Sequence, residues 1–205
     1  MVKKSKNKKK QRKSCICKIY LFRHGQTFYN KKKIFTGWKD SKLTSLGKKQ
    51  AKIIAKKLKN KKFQIAYTSD LSRCKDTLKE VLKYHPECKK IIIDWRLRER
   101  SYGKLEGMSH KKFIERYGKE KFDIYHRSYD IPPPKGESIK MVEKRVLAFI
   151  KDLLKIIKKE KVNVAICASG NSMRPFRRYF EHLSIKEMMK LENPWDDYFE
   201  YSLRC

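Results

Sequence analysis

Two periodicities take turns along this chain, and their alternation limits its fold more than any other feature. Short runs that are apolar or alternate apolar with polar stand at residues 16–22, 63–68, 91–93 and 162–168, each the length of a strand. Between them apolar residues recur at helical spacing. Ala51, Ile54, Ala55 and Leu58 share one helix face, and Leu71, Cys74, Leu78, Val81 and Leu82 share another. Val146, Phe149, Ile150, Leu153 and Ile157 line a long helix after Ser138, and Phe176, Tyr179, Phe180 and Leu183 stripe a further one. Ser184 and Glu187 have the spacing of a capping box for a last helix. Residues 94–136 are less regular and end near Pro132-Pro133-Pro134.

Such alternation predicts an α/β fold, a single three-layer α/β/α domain on a mostly parallel sheet. At 205 residues the chain suits one domain, placed here at residues 15–205. Residues 1–14 hold eight Lys or Arg and read as a disordered basic tail. In an open parallel sheet, ligands sit beyond the carboxyl ends of the strands. Arg23-His24-Gly25 and Ser169-Gly170 both fall at such ends, as does Arg73 at the start of the helix after the second strand.

Charge narrows the partners less than its size suggests. The formal net charge is +32, from 54 Lys plus Arg against 22 acidic residues, and this favours anionic ligands. Yet Lys outnumbers Arg 41 to 13 and is spread along the chain, as codon bias at tolerant surface positions would leave it. Nucleic-acid contacts rely more on bidentate Arg, and no basic stretch is interleaved with aromatic residues. Nucleic acid is therefore disfavoured as a partner. No apolar run is long enough for a membrane span, and no signal peptide pattern precedes the fold. The six cysteines, at 15, 17, 74, 88, 167 and 205, fit no zinc spacing and are expected as free thiols in a reducing cytoplasm.

The candidate chemistry is phosphoryl transfer to histidine. That reaction needs a neutral, oriented imidazole, cationic donors for the phosphoryl oxygens, and an acid/base group for the acceptor hydroxyl. His24 supplies the first, and Arg23 and Arg73 supply forked donors. Glu99, flanked by Arg98 and Arg100, supplies the third. Each residue alone has an ordinary structural explanation, and it is the combination that points to a site.

With these residues the chain resembles the histidine phosphatase superfamily, and within it the 2,3-bisphosphoglycerate-dependent phosphoglycerate mutases. The resemblance runs through residues 21–30, Phe35-Thr36-Gly37-Trp38, residues 43–47, 68–77 and 94–107, then Tyr117-Gly118, Arg127-Ser128-Tyr129-Asp130, residues 132–138 and Gly170-Asn171-Ser172-Met173-Arg174. The direct passage from Pro134 to Gly136-Glu137-Ser138 looks like the short form of these mutases. By that resemblance His24 is the phosphohistidine and Glu99 the proton donor and acceptor. Arg23, Asn30, Thr36, Gly37, Arg73, Arg100, Tyr102, Arg127, Gly170 and Asn171 contact phosphate or carboxylate. The implied reaction interconverts 3-phosphoglycerate and 2-phosphoglycerate in glycolysis and gluconeogenesis, primed by 2,3-bisphosphoglycerate and without a metal. The implied partner is a phosphorylated small molecule, the implied location cytoplasmic, and a homodimer stays open.

The chain departs from that family at four places. Ser169 stands where a second catalytic histidine is expected, and losing one such donor costs about two to three orders of magnitude in rate. His110 replaces a usual lysine and His126 a usual arginine, which keeps a cation available but weakens bidentate carboxylate binding. Asn193-Pro194-Trp195 lacks the usual Thr-Gly after the proline. Two other readings therefore stand beside the mutase: a phosphatase or catalytically impaired homologue, and a non-catalytic polyanion-binding protein.

Overall fold

A computed structural model describes residues 15–205; the expected basic tail lies outside the described residues. The strands are β1 (Ile16–Arg23), β2 (Ile65–Thr68), β3 (Lys90–Ile93), β4 (Val164–Ala168) and β5 (Tyr198–Arg204). They form one sheet in the order β3-β2-β4-β1-β5. β1, β4, β2 and β3 run parallel, and β5 is antiparallel to β1. The helices are α1 (Phe28–Lys31), α2 (Ser45–Leu58), α3 (Ser72–Leu82), α4 (His110–Tyr117), α5 (Lys119–Arg127), α6 (Ile139–Glu160), α7 (Gly170–Glu181) and α8 (Ile185–Lys190).

Strand periodicity divides the core between two faces. Ile19 and Leu21 of β1, Tyr67 of β2 and Val164 and Ile166 of β4 pack against Val146, Phe149, Ile150, Leu153 and Ile157 of α6 and Phe176 of α7. The intervening Tyr20, Phe22, Ala66, Ala165 and Cys167 meet Ile54 and Leu58 of α2 and Cys74, Leu78 and Val81 of α3 on the other face. Burying each large side chain contributes about 1.5–3 kcal/mol. Caps set the helix starts: Thr44 accepts from Gly47 N for α2, Ser138 from Met141 N for α6, and Ser184 with Glu187 completes the expected capping box of α8.

The structure departs from the sequence expectations in three places. Residues 94–136 are more regular than expected, holding two 3-10 turns (Trp95–Leu97 and Gly103–Leu105) as well as α4 and α5. These two helices cover a separate small core in which Phe35, Tyr102, Leu105, Phe113 and Phe122 pack together. The chain also ends in β5, an edge strand with no counterpart in the expected order. Its pairing brings the C-terminus beside β1, and Cys17 and Cys205 are joined in a disulfide, so the expectation of six free thiols is corrected to four. Among the described residues no helix is long and apolar enough to cross a membrane.

Candidate active site

Three strand ends converge where the parallel strands finish. β1 closes on Arg23 and runs into His24-Gly25, β4 closes on Ala168 ahead of α7, and β2 leads into α3 and Arg73. The first two are stitched together by His24 N donating to Ala168 O at 3.2 Å. Gly25 then packs backbone to backbone on the first turn of α2. A Cβ built there would meet Gly47 O at 2.2 Å, and one built on Gly47 would meet Gln26 O at 2.0 Å. Only glycine fits at either position, and the close approach fixes the turn that presents His24.

His24 is 2% exposed. Its Nδ1 lies 2.8 Å from Gly25 O, and a carbonyl only accepts, so Nδ1 carries the hydrogen and Nε2 keeps its lone pair. Burial, then Arg73 and Arg23, push the imidazole pKa well below the usual histidine range. The ring is therefore neutral at physiological pH, as a nucleophile must be.

Glu99 reaches the same place from the loop after β3. Its Oε1 accepts from Arg100 N at 2.7 Å and from Asn171 N, in the first turn of α7, at 3.2 Å. Its carbonyl is held by Trp38 Nε1 at 2.8 Å and Arg145 Nη2 at 3.0 Å. Arg73, 1% exposed, donates to Gly37 O at 2.8 Å and Lys39 O at 3.0 Å. Arg23 donates from Nη1 to Asn193 O at 3.1 Å, and its Cζ lies over the Trp195 ring, 4.6 Å from the ring centre. Burial lowers the proton affinity of Arg23, and Glu99 works against that.

These groups enclose two adjoining chambers. The inner one, about 160 Å³, is lined by His24, Arg23, Arg73, Glu99, Asn30, Thr36, Gly37, Tyr102, Asn171, His110 and His126, with Ile34 and Phe35. The outer one, about 330 Å³, shares several of these and adds Arg127, Gly170, Arg174 and Trp195 among others. Among the described residues no group of three or more His, Cys, Asp or Glu side chains is placed to hold a metal ion.

Four of the expected site residues are placed as follows. Ser169 lines neither chamber. It is fully buried, and its hydroxyl sits 3.6 Å from Cys74 Sγ. Burial would raise the Cys74 thiol pKa, but bonding with Cys167 and the nearby Arg73 bring it down to about 7. Arg100 also lines neither chamber; it donates to Glu137 O at 2.6 Å and lies over the Tyr102 ring. His110 and His126 do reach both chambers, their rings 5.2 Å apart, but not as cations. Burial and then Arg127 bring His126 down to about 4, and burial with Lys33 lowers His110. Both pack on Phe35 and Phe122, an aromatic setting that favours the neutral ring.

Sequence reading missed Arg174, Asn193 and Trp195. Arg174 sits one helical turn after Gly170 on α7, so its place on the chamber wall was available from helix spacing. Trp195 reaches the site only because β5 folds back beside β1, which no local pattern announces.

The sequence profile of the histidine phosphatase superfamily (branch 1) matches residues 19–198. The 2,3-bisphosphoglycerate-dependent phosphoglycerate mutase of Parvibaculum lavamentivorans is 41% identical over 178 residues, 84% of each chain. The phosphoglycerate mutase of Schizosaccharomyces pombe is 40% identical over 179 residues, covering 85% of this chain and 84% of the relative. Among solved structures, the phosphoglycerate mutase from Bacillus anthracis str. Sterne superposes with a TM-score of 0.78 at 25% identity, over 93% of this chain and 89% of its own. A mycobacterial glucosyl-3-phosphoglycerate phosphatase shares the fold, with a TM-score of 0.77 at 22% identity over 91% of this chain and 90% of its own. This chain thus combines a neutral buried imidazole at the sheet edge, flanked by guanidinium groups and faced by a carboxylate, with sequence matches along nearly the whole domain: it belongs to the histidine phosphatase superfamily, branch 1, and to its phosphoglycerate mutase family.

Proposed function

We propose that this protein is a phosphoglycerate mutase that interconverts 3-phosphoglycerate and 2-phosphoglycerate through phospho-His24. The observation that carries the reading is the inner chamber itself. It gathers a histidine with a free Nε2, two arginines with no carboxylate partner among the described residues and the Glu99 carboxylate in about 160 Å³. That volume suits a three-carbon phosphate ester, and the identity to mutases along 84% of each chain supports the same substrate.

In this reading Nε2 of His24 takes the phosphoryl group while Arg23 and Arg73 donate to its equatorial oxygens. Glu99 accepts the proton of the attacking hydroxyl and returns it in the reverse transfer. The guanidinium-rich walls fit 2,3-bisphosphoglycerate, which supplies the phosphoryl group that first loads His24. Arg127 and Arg174 line the outer chamber and would hold the far anionic group of the ligand. The lid of α4 and α5, sealed by Phe113 and Phe122 on Phe35, shields the phosphohistidine from water. We place the reaction in cytoplasmic glycolysis and gluconeogenesis.

A second reading has one specific observation in its favour. With Ser169 turned to Cys74, and His110 and His126 neutral, the walls hold a bisphosphate intermediate with fewer charges than the family pattern supplies. Hydrolysis of the phosphoenzyme would then compete with isomerisation. One sample tests both. Labelled 2,3-bisphosphoglycerate should leave an acid-labile, base-stable label on the protein and none on a His24→Ala variant. Enolase-coupled turnover should rise on adding 2,3-bisphosphoglycerate and exceed phosphate release. Equal labelling of the variant would end the phosphohistidine reading, and phosphate release above isomerisation would make the protein a phosphatase.

A further inference from the structure

The arginines of this chain divide by what holds them. Arg96 pairs with Asp94 and Asp152, Arg98 with Asp70, Arg145 with Glu137, Arg177 with Glu181 and Arg178 with Glu143. The chamber arginines with a protein acceptor are held differently. Arg73 donates to the carbonyls of Gly37 and Lys39, Arg174 to that of Met189, and Arg23 to that of Asn193. A carboxylate partner would orient a guanidinium but would also cancel the charge that an anionic ligand needs. A carbonyl or a ring face orients it and leaves the charge in place.

Arg23 and Arg174 are each tethered by a single hydrogen bond, against two for Arg73. Among the described residues only Nη1 of Arg23 finds an acceptor, and its Nε is buried without a partner. Its guanidinium is instead confined between surfaces. On one side a Cβ built at Gly170 would stand 3.2 Å from Arg23 Cζ, so the guanidinium lies against the α7 N-terminus. On another the Trp195 ring stands 4.6 Å away. The segment carrying that ring is itself anchored, since Asn193 Nδ2 donates to Gly170 O at 2.9 Å and Arg177 donates to Asn193 Oδ1.

We infer that Trp195 is a positioning residue for phosphoryl transfer: its indole face fixes the plane of Arg23 and leaves the full guanidinium charge for the ligand. This rests on the reading of the site as a phosphoryl-transfer centre. Trp195 Nε1 is buried and bonds to nothing among the described residues, so the edge of the ring is not what the protein uses. A phenyl face should therefore serve where a branched aliphatic side chain of similar bulk does not.

Trp195→Phe, Trp195→Leu and Trp195→Ala separate these roles. Orthovanadate affinity, measured by calorimetry, reads the phosphoryl site whichever ester it takes, and the rate of phosphohistidine formation reads the transfer. Trp195→Phe should stay within about twofold of the parent in both, and the Leu and Ala variants should lose about tenfold in both, the loss of one desolvated cation–π contact. A Leu variant equal to the parent, or a Phe variant as impaired as Leu, overturns the inference. Thermal melts check that the variants fold, and if Ala does not, the Phe against Leu comparison decides. Failure of the parent chain to bind orthovanadate counts against the phosphoryl-transfer reading, whereas a flat Phe-to-Leu series counts against Trp195 alone.

Discussion

Ser169 shows how far a single residue can be read before its neighbours are known. Its position at the end of β4 was legible from the strand pattern, but its direction was not, because that depends on Cys74 from α3. The short hydroxyl lies beside Cys74 Sγ, and in the proposed reaction this leaves the transferring phosphoryl group one donor short. Ser169→His alone must carry an imidazole past Cys74 Sγ, so we expect the larger gain when Cys74→Ala accompanies it. The double variant should recover about 10- to 100-fold in kcat over Cys74→Ala; no gain in a coupled assay would mean the chamber has adjusted around serine. The charge of His126 was equally hidden, since burial decides it. Its folded value of about 4 lies below the ordinary 6.5, so below about pH 6.5 the unfolded chain binds a proton that the folded chain refuses. Stability from this residue is therefore lost as pH falls from about 6.5 toward 4. Urea melts across that window should show a shallower pH slope for His126→Gln than for the parent.

At the scale of elements, legibility followed how each segment buries itself. β1, β2 and β4 lie inside the sheet, and α2, α3 and α6 bury one continuous stripe, so period and hydrophobicity revealed them. α4 and α5 are short and each fully buries one side chain, Phe113 and Phe122, which is too little to build a pattern. β5 has only half-buried inward residues, as an edge strand does, and its identity rests on pairing with β1 rather than on its own composition. The site residues on strand ends were found for the same reason that the strands were. Those delivered by the lid were located through motif resemblance, and Trp195 through neither. The contact between the β1 turn and α2 also belongs to this scale. Gly47→Ala puts a methyl group into Gln26 O and must push the His24 turn away from α2. We expect a loss of about 1–3 kcal/mol in denaturant melts, together with a larger fall in phosphohistidine formation than stability alone explains. A variant that melts lower but labels at the parent rate would show that the turn tolerates the shift.

Over the whole molecule, charge is sorted by depth. Among the described residues the lysines are mostly exposed, whereas of the chamber arginines Arg73 is buried and Arg23 half-buried, neither with an acidic partner there. The outer field draws anions toward the protein, and the inner groups select among them. The bond between Cys17 and Cys205 acts on a still larger scale, because it joins positions 188 residues apart. The polypeptide from one to the other is a closed covalent ring threaded through every element of the domain. A protease cut in the exposed connection at Gly118 would therefore open the ring without releasing a piece. The nicked protein should run as one species on a denaturing gel without reductant and as two once thiol is added; two fragments in both lanes would show that the ring is not closed in solution.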